Sequence, residues 1–282
     1  MNNFYKFAIL GCPVRHSLSP KMHSYWMDAL DVMGSYDFCE TQGSEESFRQ
    51  KISELQQSGY SGCNVTIPHK QHAYQICDRR SADAEFTGAV NTLIFRDGKI
   101  IGENTDILGF LQNLKNNSAY DRARETSQAV IIGAGGTARS VLYGLLQEGF
   151  KDIVVLNRTL TTAEELIAGF QQSFSQCHLG AVSFDQLNLS LQQRAEHSLV
   201  VNTTSIGMSG QGSWNVDFSQ SFFVTDIVYT PIMTPFLECA DKKGLDYQDG
   251  FGMLLHQGAE SFRLWTGLQP VVDDQLRQYL LR

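Results

Sequence analysis

Three polar clusters in the first hundred or so residues carry chemistry beyond what turns require. Ser17-Leu18-Ser19-Pro20 places two hydroxyls beside an expected helix start. The positive end of a helix dipole there favours an anion such as a carboxylate. Ser19 is expected as the N-cap and Pro20 as the first helical residue, which accounts for one serine and leaves the other unexplained. Asn64-Val65-Thr66-Ile67-Pro68-His69-Lys70 ends an apolar run with alternating polar side chains and a lysine just beyond. Gly88-Ala89-Val90-Asn91-Thr92 and then Glu103-Asn104-Thr105-Asp106 add amides and a carboxylate. Taken singly, each cluster reads equally well as Asn, Asp and Ser forming turns. Their co-occurrence with the dinucleotide-binding pattern further along shifts that weighting toward a site.

A second kind of chemistry lies further along. Ala129-Val130-Ile131-Ile132 leads into Gly133-Ala134-Gly135-Gly136-Thr137-Ala138. A helical pattern through Val141, Leu142, Leu145 and Leu146 follows, then an apolar strand at Ile153-Val154-Val155-Leu156. Strand, glycine turn, helix and strand form the context that G-x-G-x-x-(G/A) needs to bind a dinucleotide. Gly133 allows the tight turn, Gly135 lets backbone approach a pyrophosphate, and Ala138 permits close packing of helix on strand. An acid at the end of the next strand would select NAD. The chain has Asn157-Arg158-Thr159 there instead, and a guanidinium at that place meets the 2′-phosphate of NADP.

The elements that hold these groups alternate. A strand near 5–10 precedes a helix bearing Met22, Trp26, Met27, Leu30 and Met33 at helical spacing. A strand near 36–40, a helix near 45–57 and a strand at 62–67 follow. A hairpin over 90–104 is expected to turn at Asp97-Gly98. A polar stretch from Asn116 to Gln128 is expected to separate this α/β unit from a second one. In that second unit, helices near 161–173 and 234–242 alternate with strands near 198–202 and 222–228, implying a parallel sheet. The last forty residues are expected to be helical.

Composition narrows the possible partners. The chain has 282 residues, 42% of them hydrophobic, and a net charge of −8. That describes an ordinary two-domain globular protein and argues against nucleic acid or an anionic membrane as the main partner. The start, Met1-Asn2-Asn3-Phe4-Tyr5-Lys6, lacks the pattern of a signal peptide. The six cysteines form no C-x-x-C pair and read as free thiols of a cytoplasmic protein. The seven histidines show no ligand spacing, so no metal is expected.

These segments, in this order, resemble the shikimate dehydrogenase family over essentially the whole chain. The resemblance runs through Gly11-Cys12-Pro13-Val14-Arg15-His16-Ser17-Leu18-Ser19-Pro20 and the clusters above. It continues with Asn202-Thr203-Thr204-Ser205-Ile206-Gly207-Met208, Tyr229-Thr230-Pro231 and Asp249-Gly250-Phe251-Gly252-Met253, running on to Gln257. It implies an N-terminal α/β substrate domain over 1–106 and a Rossmann-type, doubly wound NADP-binding domain over 107–249. Helices over 250–282 would pack back on the first domain, with the active site in the cleft between domains. Lys70 and Asp106 are implied as the catalytic pair. Ser17 and Ser19 would take the substrate carboxylate, while Asn64, Thr66, Asn91, Tyr229 and Gln257, with Asp106, line the rest of the pocket. Gly133, Ala134, Gly135, Gly136, Thr137 and Ala138 would hold NADP, with Asn157, Arg158, Thr159, Asn202, Thr203, Thr204, Gly250 and Met253. One departure stands out: NADP-using members often carry a second basic residue four positions after the arginine, and this chain has Thr162 there.

The implied reaction is reversible, NADPH-dependent reduction of 3-dehydroshikimate to shikimate, a step toward chorismate and the aromatic amino acids. A quinate/shikimate dehydrogenase using NAD or NADP is the nearest alternative. The paired serines favour shikimate, because quinate's extra hydroxyl needs room beside the carboxylate. A non-catalytic metabolite sensor on the same fold is the other alternative, and it would have no need of both Lys70 and Asp106. The sequence leaves monomer and homodimer equally open.

Overall fold

In the computed structural model, which describes residues 4–208 and 212–282, the chain divides into two compact units. One comprises Met1–Asp106 with Leu255–Arg282, and the other is Ile107–Leu254. Met1, Asn2 and Asn3, which form part of the start read above as lacking a signal, lie outside the described residues.

The first unit begins β1 (Tyr5–Gly11), α1 (Ser19–Ala29), β2 (Gly34–Glu40), α2 (Glu45–Gln57) and β3 (Gly62–Val65). It continues α3 (Lys70–Ile76), β4 (Arg79–Arg80), α4 (Ala82–Thr87), β5 (Thr92–Arg96) and β6 (Lys99–Glu103). The strands form one mixed sheet in the order β2-β1-β3-β5-β6-β4. Strand β1 is parallel to both neighbours, whereas β3, β5 and β6 are antiparallel. The expected hairpin is β5–β6, turned by Asp97 and Gly98 at φ 54° and 71°, the paired positive values of a type I′ turn. Ala8, Leu10, Cys63, Val65 and Leu93 pack from the sheet against Phe48 and Ile52 of α2. The C-terminal segment is bolted on by Trp265, whose ring stacks on Phe7 at 4.5 Å and whose Nε1–H donates to the Leu93 carbonyl at 3.0 Å.

One local expectation needs correction. Ser19 is the first residue of α1 and Leu18 holds the cap position, with no side-chain cap bond. The Ser17 hydroxyl takes the Ser19 N–H at 3.2 Å, so the upstream serine does what Ser19 was expected to do.

The second unit contains α5 (Asp106–Lys115), α6 (Ala119–Thr126), β7 (Gln128–Ile132), α7 (Gly136–Gln147), β8 (Asp152–Asn157) and α8 (Leu160–Gln171). Then come β9 (His178–Ser183), a 3₁₀ turn, α9 (Leu187–Gln192), β10 (Leu199–Asn202), β11 (Phe223–Asp226), α10 (Pro235–Asp241) and β12 (Asp246–Gln248). Helix α11 (Phe251–Thr266) starts in this unit, and α12 (Asp274–Leu281) ends the chain. The polar stretch at 116–128 is therefore not a separator. Its helix α6 buries Ala119, Tyr120 and Ala123, a stripe too narrow to show as periodicity in eight residues.

All six strands of the second sheet are parallel, in the order β12-β11-β10-β7-β8-β9. The direction of winding reverses between β7 and β10, which is the doubly wound, Rossmann-type topology. Ligands of such sheets bind at the carboxyl ends of the strands beside that reversal. Val130, Ile132, Val154, Leu156, Val200 and Val224 form the sheet side of the core, with Phe218, Phe222 and Phe236 against them.

Candidate active site

Lys70 is the first residue of α3 and Asp106 the first of α5. The Lys70 Nζ lies 2.5 Å from the Asp106 Oδ2, and their side chains are only 12% and 6% exposed. A pair this buried is costly unless its remaining lone pairs are hydrogen-bonded. Here they are. Asn91 Nδ2 donates to Asp106 Oδ1 at 2.8 Å and to Thr105 Oγ1 at 2.9 Å. The Asp106 backbone N–H donates to Asn104 Oδ1 at 3.2 Å, and the Asn104 amide donates in turn to the Ala89 carbonyl at 3.0 Å. The Gln257 Oε1 lies 3.4 Å from the same Asn91 nitrogen.

Asn64, at the end of β3, is fixed at both ends of its amide. Tyr36 donates its hydroxyl to Asn64 Oδ1 at 2.8 Å, and Asn64 Nδ2 donates to Ser261 Oγ at 2.9 Å and Thr92 Oγ1 at 3.1 Å. Lys70 follows His69, the N-cap residue of α3. The His69 ring is fully buried, 2.6 Å from Thr41 Oγ1 through Nε2 and 3.0 Å from the His72 ring through Nδ1. Burial, with His72 adding to it, pushes His69 down to about 4, so at neutral pH it is an uncharged ring. Ser17 and Ser19 share a hydrogen bond of 3.1 Å, and Thr66 is half-buried just past β3.

In the second unit the glycine turn sits where the sheet reverses. Gly133 has φ 106°, and a Cβ there would meet Thr203 Oγ1 at 2.6 Å, so both backbone and space require glycine. Thr203 donates its N–H and its hydroxyl to the Ile132 carbonyl at 2.8 and 2.7 Å. Gly135 caps the twelve-residue α7 in extended conformation with no side chain in the way, and Ala138 is fully buried against the sheet. A helix N-terminus presented in this way suits a pyrophosphate. At the end of β8, Asn157 folds back onto the Thr159 carbonyl at 2.9 Å. Arg158 is exposed there with no acid beside it at the strand end, which fits an adenosine 2′-phosphate better than a ribose diol.

The polar residues singled out in the sequence thus gather in two groups. Lys70, Asp106, Asn91, Asn64 and Gln257 form one network in the first unit, where Ser17, Ser19 and Thr66 also belong. Residues 133–138, 157–159 and 202–204, with Tyr229, Gly250 and Met253, belong to the second. The Tyr229 ring meets Phe251 edge-on at 6.4 Å, and Met253 is buried in the first turn of α11. Ser261, Tyr36 and His69 carried no role in the sequence reading. Only Ser261 left a signal, lying one helical turn after Gln257 on the same face.

Comparison with known proteins agrees with this geometry. The family model for the shikimate dehydrogenase substrate binding domain matches residues 9–93. The model for shikimate / quinate 5-dehydrogenase matches 117–205, and that for the shikimate 5'-dehydrogenase C-terminal domain matches 250–273. The chain is 41% identical over 280 residues to the shikimate dehydrogenase (NADP(+)) of Sinorhizobium fredii, covering 97% of this chain and 93% of that one. Among solved structures, shikimate 5-dehydrogenase from Thermus thermophilus, in complex with NADP(H) and shikimate, is 33% identical. It aligns with a TM-score of 0.81 and covers 99% of each chain. Quinate dehydrogenase from Corynebacterium glutamicum, in complex with NAD, is 28% identical with a TM-score of 0.87, again over 99% of each chain. With a buried lysine–aspartate pair at two helix starts and a glycine turn of the dinucleotide-binding kind, this chain belongs to the shikimate dehydrogenase family.

Proposed function

We propose that the protein is an NADP-dependent shikimate dehydrogenase that reversibly reduces 3-dehydroshikimate to shikimate on the way to chorismate. The observation that carries this reading is the Lys70–Asp106 pair at 2.5 Å, held inside a hydrogen-bonded amide and hydroxyl network. We place the enzyme in the cytoplasm, a reducing compartment in which its six free thiols would persist. No described helix is long and apolar enough to cross a membrane.

When bound, the nicotinamide supplies or takes up the hydride, and the protein contributes position and charge. Reducing the ketone leaves an alkoxide. The Lys70 ammonium stabilises that oxygen and gives it a proton, then takes one back in the reverse direction. Asp106 fixes the ammonium through Oδ2 while Asn91 fixes Asp106 through Oδ1. Asn91, Asp106 and Gln257 would meet the ring hydroxyls, Asn64 and Thr66 would complete the pocket, and Ser17 and Ser19 would accommodate the carboxylate. Arg158 and the N-terminus of α7 hold the phosphates of NADP.

Replacing Lys70 by Ala tests the assignment. Turnover is expected to fall by about 10²–10⁴-fold, the usual worth of a positioned acid/base group. Calorimetric affinity for shikimate should stay within a few-fold of the parent. Full turnover in the variant would overturn Lys70 as the proton donor.

A further inference from the structure

Beyond the residues that face ligands, one buried carboxylate has no place in this chemistry and is unusually well connected. Asp226 ends β11 with no exposed surface. Its Oδ1 accepts from Asn202 Nδ2 at 2.9 Å and from the Val228 N–H at 3.0 Å, and its Oδ2 accepts from the Thr234 hydroxyl at 2.7 Å. No charged group is among these partners.

Each contact leads to a different segment at the carboxyl end of the parallel sheet. The Asn202 amide, itself fully buried, accepts through Oδ1 from the Thr204 N–H at 3.0 Å and the Thr204 hydroxyl at 2.7 Å. Asn202 therefore points inward and shapes the backbone of 202–204. Next to it, Thr203 sits against the glycine turn at Gly133. Val228 leads directly to Tyr229. Thr234 caps α10, accepting from the Leu237 N–H at 3.3 Å. Gly250 packs so closely on the Asp226 and Ile227 carbonyls that a Cβ has no room there.

We propose that Asp226 is the positioning residue for the bound dinucleotide: its buried carboxylate holds segment 202–204 against the Gly133 turn and ties both to the loop bearing Tyr229. This rests on the dinucleotide reading above. The hydrogen-bond pattern also accommodates a protonated side chain, because Oδ1 only accepts whereas Oδ2 can donate to Thr234. Burial pushes the Asp226 carboxyl up to about 7 against three opposing hydrogen bonds, consistent with a site that tolerates either form. An asparagine reproduces the protonated pattern, with its oxygen facing Asn202 and Val228 and its amide facing Thr234.

The test is fluorescence titration of NADPH into the full-length protein, its Asp226→Ala and its Asp226→Asn variants, with calorimetry of shikimate alongside. The parent must bind NADPH, and failure there would remove the dinucleotide reading itself. Asp226→Ala should weaken NADPH binding by about tenfold, the usual consequence of stranding buried donors. Its shikimate affinity should fall by less than its NADPH affinity, because Tyr229 alone among the substrate residues hangs from this carboxylate, and Asp226→Asn should restore NADPH binding to within a few-fold of the parent. Unchanged NADPH affinity in a folded Asp226→Ala variant, or equal losses for both ligands, would overturn the proposal. If Asp226→Ala does not fold, Asn202→Asp replaces it: it sets two carboxyls face to face and should weaken NADPH binding by more than it weakens shikimate binding. Unchanged NADPH affinity in that folded variant would overturn the proposal equally.

Discussion

His23 is fully buried in α1 with neither ring nitrogen hydrogen-bonded. It stacks on Tyr36 at 4.4 Å and is flanked by Trp26, Phe262 and Trp265. Burial lowers its pKa from 6.5 to about 3, and His69 is lowered to about 4. Below pH ~6.5 the unfolded chain therefore binds more protons at both sites, and their stabilisation is lost as pH falls toward 4 and 3. Asp226 has the opposite sign. Raised from 3.8 to about 7, it holds a proton when folded, so its contribution declines as pH rises from about 4 to 7. Among these three groups, two imidazoles against one carboxyl weaken the acid side. His23→Phe keeps an aromatic ring in the stack and removes one titration, so urea unfolding between pH 4 and 7 should lose most of the pH slope these groups impose. An unchanged slope would show that His23 is not the group responsible. Lys70 and Asp106 could be found in the sequence because motif spacing marks them. His23 could not, since an imidazole among Met22, Trp26 and Met27 looks like one more position on a helix.

At the scale of elements, the βαβ unit around the glycine turn and the β5–β6 hairpin were legible because their periods and turn residues agree. Helices α3, α4 and α6 were missed, being six to eight residues long, too short for periodicity to show. Strand β9 was missed because His178-Leu179-Gly180-Ala181-Val182-Ser183 has no fully buried position, so it lacks the apolar signal of an interior strand. The proposed function places cofactor choice at the junction of β8 and α8. Arg158 precedes the cap residue Thr159, and Thr161 and Thr162 lie exposed in the first turn of α8. A second guanidinium at that turn would add a charge-assisted hydrogen bond to a 2′-phosphate. Thr162→Arg is expected to raise the ratio of kcat/KM for NADP over NAD by about tenfold, and an unchanged ratio would show that position 162 lies out of reach.

Across the whole molecule, a net charge of −8 means that an anionic substrate and an anionic cofactor must be met by local positive charge. In the proposed reading Lys70 would supply it in the first unit and Arg158 in the second, each next to a helix N-terminus. Two units were expected from length and from a polar separator at 116–128, but that stretch lies inside the second unit, which starts at Ile107. The point where the chain leaves the second unit, between Leu254 and Leu255, has no sequence mark because α11 runs through it unbroken. The most direct measurement is absorbance at the reduced-nicotinamide band with shikimate and quinate, each paired with NADP and NAD. Shikimate with NADP is predicted to give the highest kcat/KM of the four pairs. Faster turnover of quinate with NAD, or no turnover with any pair, would contradict an NADP-dependent shikimate dehydrogenase.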